Sequence, residues 1–369
     1  MSKSSPFTTI HPGAVLDQEL KDRGIAQKDF ASTIGMPSPV LNAIIKEKRS
    51  VTPDIAVLLE AALGKDAAFW LSLQAQRDIE EAKMKEEFIR KQQDIETWSS
   101  LQDYCNTSFL EKFVPGGLGQ SIHEKINAVL SFFGVNSVND LRKKFLEDVD
   151  PAYFRKSDKL KNDPISLFTW KYMAFSASDK LEKPNHYFRK DSLEAVTTAL
   201  NTIFYENEDT CVRVEGLLAE YGIKFVIIPN QKGIHVDGFS FWKGSNPTIA
   251  LTLRGQKLDV LAFTLMHELC HVYNHLDKAN QKKTCISIDG EKDSREEQDA
   301  DVFARTQLIP PVDWQMFRAA NAFTNPYSMG PKIRAFAEEH QIHPSIVLGR
   351  YQYEYNVYDN GRGIERSIN

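Results

Sequence analysis

Long apolar runs are missing from this chain: no stretch approaches the roughly 20 residues that a helix needs to cross a bilayer, so no membrane span is expected. The opening Met-Ser-Lys-Ser-Ser is polar and has no apolar core, which excludes a secretory signal there and makes the cytoplasm the expected compartment. Cysteine is scarce. Cys105, Cys211, Cys270 and Cys285 are widely scattered and form no Cys-x-x-Cys pair, which excludes a dense disulfide framework and leaves reduced thiols. An excess of charge is missing as well. The net charge is only −5, so attraction to nucleic acid must come from a local surface rather than from the field of the whole chain.

What remains is a chain of 369 residues, 42% hydrophobic and 26% charged, with the balance of a soluble globular protein and the length of two or three domains. Its most informative stretch is Thr264-Leu-Met-His-Glu-Leu-Cys-His-Val272, which contains His-Glu-x-x-His. On a helix, His267 and His271 stand one turn apart on one face and both imidazoles reach one metal ion. Glu268, rotated about 100° from His267, is placed to act as general base on an attacking water without being a ligand. Leu261, Leu265, Leu269 and Val272 recur at the spacing of a buried stripe, which predicts an amphipathic helix with a polar working side. Cys270 is read as packing rather than as a thiolate ligand.

A zinc site of this type wants a third protein ligand. Ser294 to Ala304 supplies one, with Glu297 and Asp301 four apart on one helical face. Glu297 is the expected third ligand, and Asp301 the acceptor for the outward N–H of a ligating histidine. The same Ser294 and Glu297 also have the spacing of a capping box, an ordinary helix start.

Asn246-Pro-Thr-Ile-Ala-Leu-Thr-Leu, Phe263-Thr-Leu-Met-His-Glu-Leu-Cys-His, and Glu297-x-x-Ala-Asp-x-Phe-Ala with Leu308-Ile-Pro-Pro resemble the ImmA/IrrE family of zinc metallopeptidases. The resemblance implies a gluzincin-like domain beside a short sheet, a Zn2+ ion on His267, His271 and Glu297, and Glu268 as base. Some members of that family cleave helix-turn-helix repressors. This chain departs from them at Cys270, where a small residue is usual.

Residues 1 to about 80 read as a set of short helices: Gly13 to Arg23, Gln27 to Ile34, a turn at Gly35-Met36, Pro37 to Lys46, a helix after Thr52-Pro53 ending at Gly64, and a last one from Asp66. Phe30, Ala31 and Ile34 should pack on Val40, Leu41 and Ile44, holding the second helix of a helix-turn-helix proud for a major groove. Ser38, Pro39, Asn42 and Ala43 then face base edges, while Gln27, Lys46, Lys48 and Arg49 meet phosphates. Residues 1–79 hold nine Lys or Arg and nine Asp or Glu, so one copy should bind DNA weakly and a homodimer is expected.

His11-Pro-Gly, Gln27-Lys-Asp-Phe-Ala, Lys48-Arg-Ser-Val-Thr-Pro and Ala68-Phe-Trp-Leu-Ser-Leu-Gln resemble the Xre-type DNA-binding domain of HigA-like antitoxins. That resemblance implies a repressor bound to a double-stranded operator, with a toxin as a candidate partner.

Ile79 to Trp98 is charge-rich and helical, and helical patterns at Ile122–Phe133, Val138–Phe145, Ile165–Ala177 and Leu193–Phe204 predict a connector across 81–210. Lys224-Phe-Val-Ile-Ile, Gly233 to Phe241 and Thr248 to Leu253 read as strands of a small antiparallel sheet whose exposed edge could pair with an extended peptide. His123 and His186 are read as surface or structural residues, His235 as a strand residue, and His275 as a helix-end residue. His343 is a candidate for stabilising the oxyanion.

The expected fold is mainly α with a small β-sheet (α+β): a helix-turn-helix domain at 1–80, a helical connector at 81–210 and a peptidase-like domain at 211–369. The expected function is DNA-binding regulation with a zinc-dependent peptidase acting on a repressor, a toxin or the chain itself. The alternative is a repressor whose peptidase-like domain senses a metal or ligand, or dimerises, and never cuts.

Overall fold

The computed structural model describes residues 9–148, 163–182, 184, 186–288, 294–322, 325, 328–358 and 363–369. The chain forms two compact units, Met1–Trp98 and Ser99–Asn369. The described residues are mostly helical, with one four-stranded sheet.

In the first unit, α1 (Pro12–Asp22) starts on His11, whose Nδ1 accepts the Gly13 N–H at 2.9 Å, with Pro12 supplying a preset φ in the first turn. Helices α2 (Gln27–Thr33) and α3 (Ser38–Ile45) are joined by the turn at Gly35, whose φ is +66°. Helix α4 (Pro53–Leu63) is capped by Thr52 and ends on Gly64 in the left-handed region. Phe30, Ala31, Ile34, Leu41 and Ile44 join Leu16, Leu20, Leu59 and Trp70 in one core, with Val40 half-buried at its edge. The pairing expected between α2 and α3 is therefore present.

Helix α1 crosses α3 closely. A Cβ built on Gly13 would stand 1.9 Å from the Ile44 carbonyl oxygen, inside any allowed contact with rigid backbone. Alanine is the better helix former by about 1 kcal/mol, but overpacking of this kind costs about 1–3 kcal/mol and more where backbone must yield. We expect Gly13→Ala to lower the midpoint of thermal unfolding of this unit by roughly 5–10 °C, followed by circular dichroism; an unchanged or raised midpoint would show that α1 shifts freely.

Helix α5 (Ala67–Met84) runs past residue 80 because Arg77 is buried and tied back, donating to the Thr9 carbonyl and pairing with Glu47 at 3.3 Å. Lys85 turns extended and α6 (Glu86–Gln102) follows, so the charge-rich stretch is helical in two pieces.

In the second unit, α7 (Thr107–Phe113), α8 (Ile122–Phe133), α9 (Val138–Asp148), α10 (Pro164–Lys180), α11 (Leu193–Glu206) and α12 (Thr210–Glu220) precede the sheet. The helices from α7 to α12 belong to the same compact unit as the sheet, and so do not stand apart as a connector. The reason is packing: Trp170 and Phe175 of α10 lie against Phe239 and Phe241, with ring centroids 6.0 and 4.7 Å apart for Trp170–Phe239 and Phe175–Phe241.

The strands are β1 (Lys224–Ile227), β2 (Val236–Lys243), β3 (Asn246–Leu251) and β4 (Thr284–Ile288), in the order β1-β3-β2-β4. Pairings β2–β3 and β2–β4 are antiparallel, but β1–β3 is parallel, which corrects the expectation of a wholly antiparallel sheet. The cause is that β2 and β3 form a hairpin, and β1 pairs with the far side of β3. His235 precedes β2 rather than lying in it. Along β2 the alternation of side chains sends Phe239 and Phe241 to α10 and Ser240 to the opposite face, where α13 (Leu258–Cys270) packs.

Helix α13 is buried almost all round, including Leu261, Leu265 and Leu269 of the expected stripe and His267, and His271 just beyond its end is buried too. The helix therefore has no solvated working side. The sheet covers one flank, and α14 (Arg295–Leu308) and α17 (Pro344–Tyr355) pack against the rest. Helices α15 (Pro311–Ala320) and α16 (Met329–Glu339) complete the unit.

Candidate metal centre and nucleic-acid interface

Helices α13 and α14 run antiparallel, so His271, directly after α13, meets Glu297 of α14, and one turn along His267 meets Asp301. The Nε2 atoms of His267 and His271 are 3.1 Å apart, and the Glu297 oxygens lie 3.1 Å from His267 Nε2 and 3.2 Å from His271 Nε2. One donor atom from each of these three residues lies within 4.8 Å of the other two. Two imidazoles and a carboxylate pointing at one spot fit a zinc ion by donor type and number.

Each histidine is oriented through its other nitrogen. His267 Nδ1 is 3.1 Å from Asp301 Oδ1, as the sequence leads one to expect, while His271 Nδ1 is 2.9 Å from His275 Nδ1. Helical spacing already sets His275 one turn beyond His271 on the same face; the chain there is a π-helical turn, and the His275 ring lies beside that of His271 as its hydrogen-bond partner rather than only closing the helix end. Burial works against a charged His267, yet hydrogen bonds to Asp301 and Glu297 outweigh it and raise its pKa to about 10. Burial likewise opposes the Glu297 carboxylate, and the two histidines overcome it, lowering its pKa to about 2.

Glu268 is fully buried against the sheet. Ser240 Oγ donates to its Oε2 at 2.5 Å and Ser287 Oγ to its Oε1 at 2.5 Å. Gly238 makes the space, since a Cβ there would meet the Glu268 carboxyl at 2.2 Å. Neither serine nor the glycine is singled out by the sequence, where β4 was not expected as a strand.

The Ser294 cap is also real: its Oγ accepts the Glu297 N–H at 3.2 Å, while the Glu297 side chain turns to the histidines instead of closing a box. Cys270 is buried, raised in pKa chiefly by desolvation, and accepts from Asn274 at 3.4 Å; it packs. His343 is not brought to the cluster. It caps α17, with Nδ1 accepting the Ser345 N–H at 3.2 Å, because Pro344 begins that helix. His123 and His186 are exposed.

On α3, Leu41 and Ile44 turn into the core and leave Ser38, Pro39 and Asn42 exposed, with Ala43 half-buried. Lys46, Lys48 and Arg49 are exposed just beyond, and among the described residues none is paired with a carboxylate. Glu47, between them, is drawn away by Arg77. Gln27 is exposed at the start of α2, with its amide donating to Asp17 at 3.1 Å.

A helix-turn-helix family model matches residues 16–70. The chain is 33% identical over 81 residues to virulence-associated protein I of Dichelobacter nodosus, which spans 22% of this chain and 75% of that protein. A solved putative antidote protein of a plasmid maintenance system from Nostoc punctiforme is 34% identical, covering 23% of this chain and 94% of that one with a TM-score of 0.22. The Pseudomonas aeruginosa antitoxin HigA, solved with the higBA promoter, is 30% identical over 20% of this chain and 83% of that one, with a TM-score of 0.20.

Proposed function

Because the chain belongs to the helix-turn-helix family through its N-terminal domain, we propose that it is a DNA-binding transcription regulator of antitoxin type whose C-terminal unit is a gluzincin-like, zinc-dependent peptidase. The observation that carries the peptidase half is the convergence of His267, His271 and Glu297, with Asp301 fixing the first histidine. A zinc ion held there supplies Lewis acidity to a peptide carbonyl. Glu268 then takes the proton of the attacking water on a carboxylate oxygen and returns it to the leaving amine. Strand β4, at the sheet's edge beside Glu268, offers backbone groups to an extended peptide. A repressor, a toxin or the chain itself is the candidate substrate, and a toxin is the candidate protein partner.

The DNA half rests on the exposed face of α3. A homodimer presents two such faces to two half-sites and so offsets the neutral charge of each domain. With a duplex carrying the promoter of the chain's own coding sequence, we expect Asn42→Ala to weaken binding about tenfold, as loss of a base contact does. Lys48→Ala should instead weaken binding to all sequences and reduce the slope of log K against log salt by about 1. Equal binding by wild type and a combined Ser38, Asn42, Lys48 and Arg49 alanine variant would refute this interface.

One observation favours a second reading, in which the same cluster senses a metal and regulates without cutting: Glu268 is sealed from solvent and engaged by two hydroxyls.

A further inference from the structure

A cavity of about 410 Å³ opens one helical turn from the metal cluster, in the groove between α13, α14 and α17. Its place follows from the antiparallel packing: Phe263 precedes His267 by one turn on α13, and Arg305 follows Asp301 by one turn on α14. The walls are mostly apolar, with Val260, Phe263, Leu308, Ile309 and Ile346 contributing. A volume of this size lies in the range of about 300–1,000 Å³ typical of small-ligand sites.

The wall carries two aspartates and two arginines, Asp237, Asp259, Arg305 and Arg350, so its charges balance in number but are not all paired. Asp259 is held by Arg366, whose Nε donates to it at 2.9 Å. Arg350 donates to Glu354 at 3.0 Å and to the carbonyls of Arg305 and Ile309 at 3.0 and 3.1 Å. Asp237 is engaged in an interaction of its own. Arg305 is half-buried, and among the described residues no hydrogen bond or ion pair is made by its guanidinium. A planar, always-charged donor fork at the rim of an apolar cavity matches a carboxylate joined to an apolar body.

We propose that this cavity binds an apolar carboxylate, with Arg305 taking the carboxylate and Phe263, Leu308 and Ile346 the apolar body. Two sources share that chemistry, a free small acid and the terminal carboxylate of a peptide ending in an apolar residue. The site stands independently of the peptidase reading, because binding is measured rather than turnover.

The experiment is calorimetry on the full chain with 3-phenylpropanoate, its amide 3-phenylpropanamide, and the tetrapeptide Ala-Ala-Ala-Phe with a free or amidated terminus. The expected result is that each acid binds about tenfold or more tightly than its amide, the factor supplied by one charge-assisted hydrogen bond, and that Arg305→Gln removes the difference. Arg305→Gln disturbs no side-chain partner, and Ile346→Trp, which fills the cavity, should abolish binding of both acids. Tighter binding of the peptide acid than of the free acid assigns the source to peptides, and the reverse assigns it to small acids. Binding should persist in His267→Ala, which separates it from the metal site. Equal affinity for acid and amide, no effect of Arg305→Gln, or no binding of either acid would overturn the proposal.

Discussion

Purified wild-type chain is expected to carry close to one zinc ion per molecule, and a His267→Ala variant close to none. The donors are already gathered: the three ligand atoms lie within 4.8 Å of one another, so little rearrangement is needed to close on an ion. The attraction is also present. Glu297 and Asp301 set two carboxylates against buried His267, and their negative charge draws in a divalent cation, which displaces the proton that the same carboxylates favour on the ring. The effect should be graded by position. Asp301→Asn leaves all three ligands but loosens the orientation of His267, and should weaken zinc binding by about 10–100-fold. Elemental mass spectrometry on wild type and the two variants reads this directly. Absence of zinc from wild type after loading and desalting would reduce the cluster to a buried hydrogen-bond network and leave the DNA-binding regulator as the surviving function.

The second large effect is expected from Glu268→Gln: processing of a protein partner should fall by about 10²–10⁴, the usual weight of a general base, while zinc stoichiometry stays unchanged. Glutamine keeps the shape of the side chain, and the hydroxyls of Ser240 and Ser287 can rotate to meet an amide, so the fold should hold. Gel-based cleavage assays with a co-expressed repressor or toxin, beside a zinc assay of the same preparation, test both halves. If the variant processes every partner at the wild-type rate, Glu268 is not the base. If neither chain cuts anything, but repression of the operator changes with zinc, the sensing reading is the right one.

The residues of the candidate cluster were legible in the sequence because they obey helical arithmetic: His271 follows His267 by one turn where α13 passes into the π-helical turn, and Asp301 follows Glu297 by one turn on α14. The helix-turn-helix was legible for a similar reason, since its turn residues and apolar spacing are local. What was not legible depends on which distant elements meet. Strand β4 is five residues of mixed character, Thr-Cys-Ile-Ser-Ile, and only its pairing with β2 makes it a strand. The parallel pairing of β1 with β3 cannot be read from either strand alone. The aromatic run in α10 announces a buried helix but does not say that Phe239 and Phe241 bury it, so the helical middle of the chain read as a connector. The burial of Glu268 needed Gly238, Ser240 and Ser287, three residues with no spacing signal among them.

The position of β4 at the end of the sheet bears on how steadily the site is maintained. It is a short strand with a single neighbour among the described residues, and such strands open locally at lower free energy than the strands they flank. Each opening withdraws Ser287 from Glu268 and leaves the carboxylate with Ser240 alone. Amide protons of Thr284–Ile288 should therefore exchange with solvent faster than those of β2 and β3, and the fraction of time the strand is closed sets the fraction in which Glu268 is held by both hydroxyls.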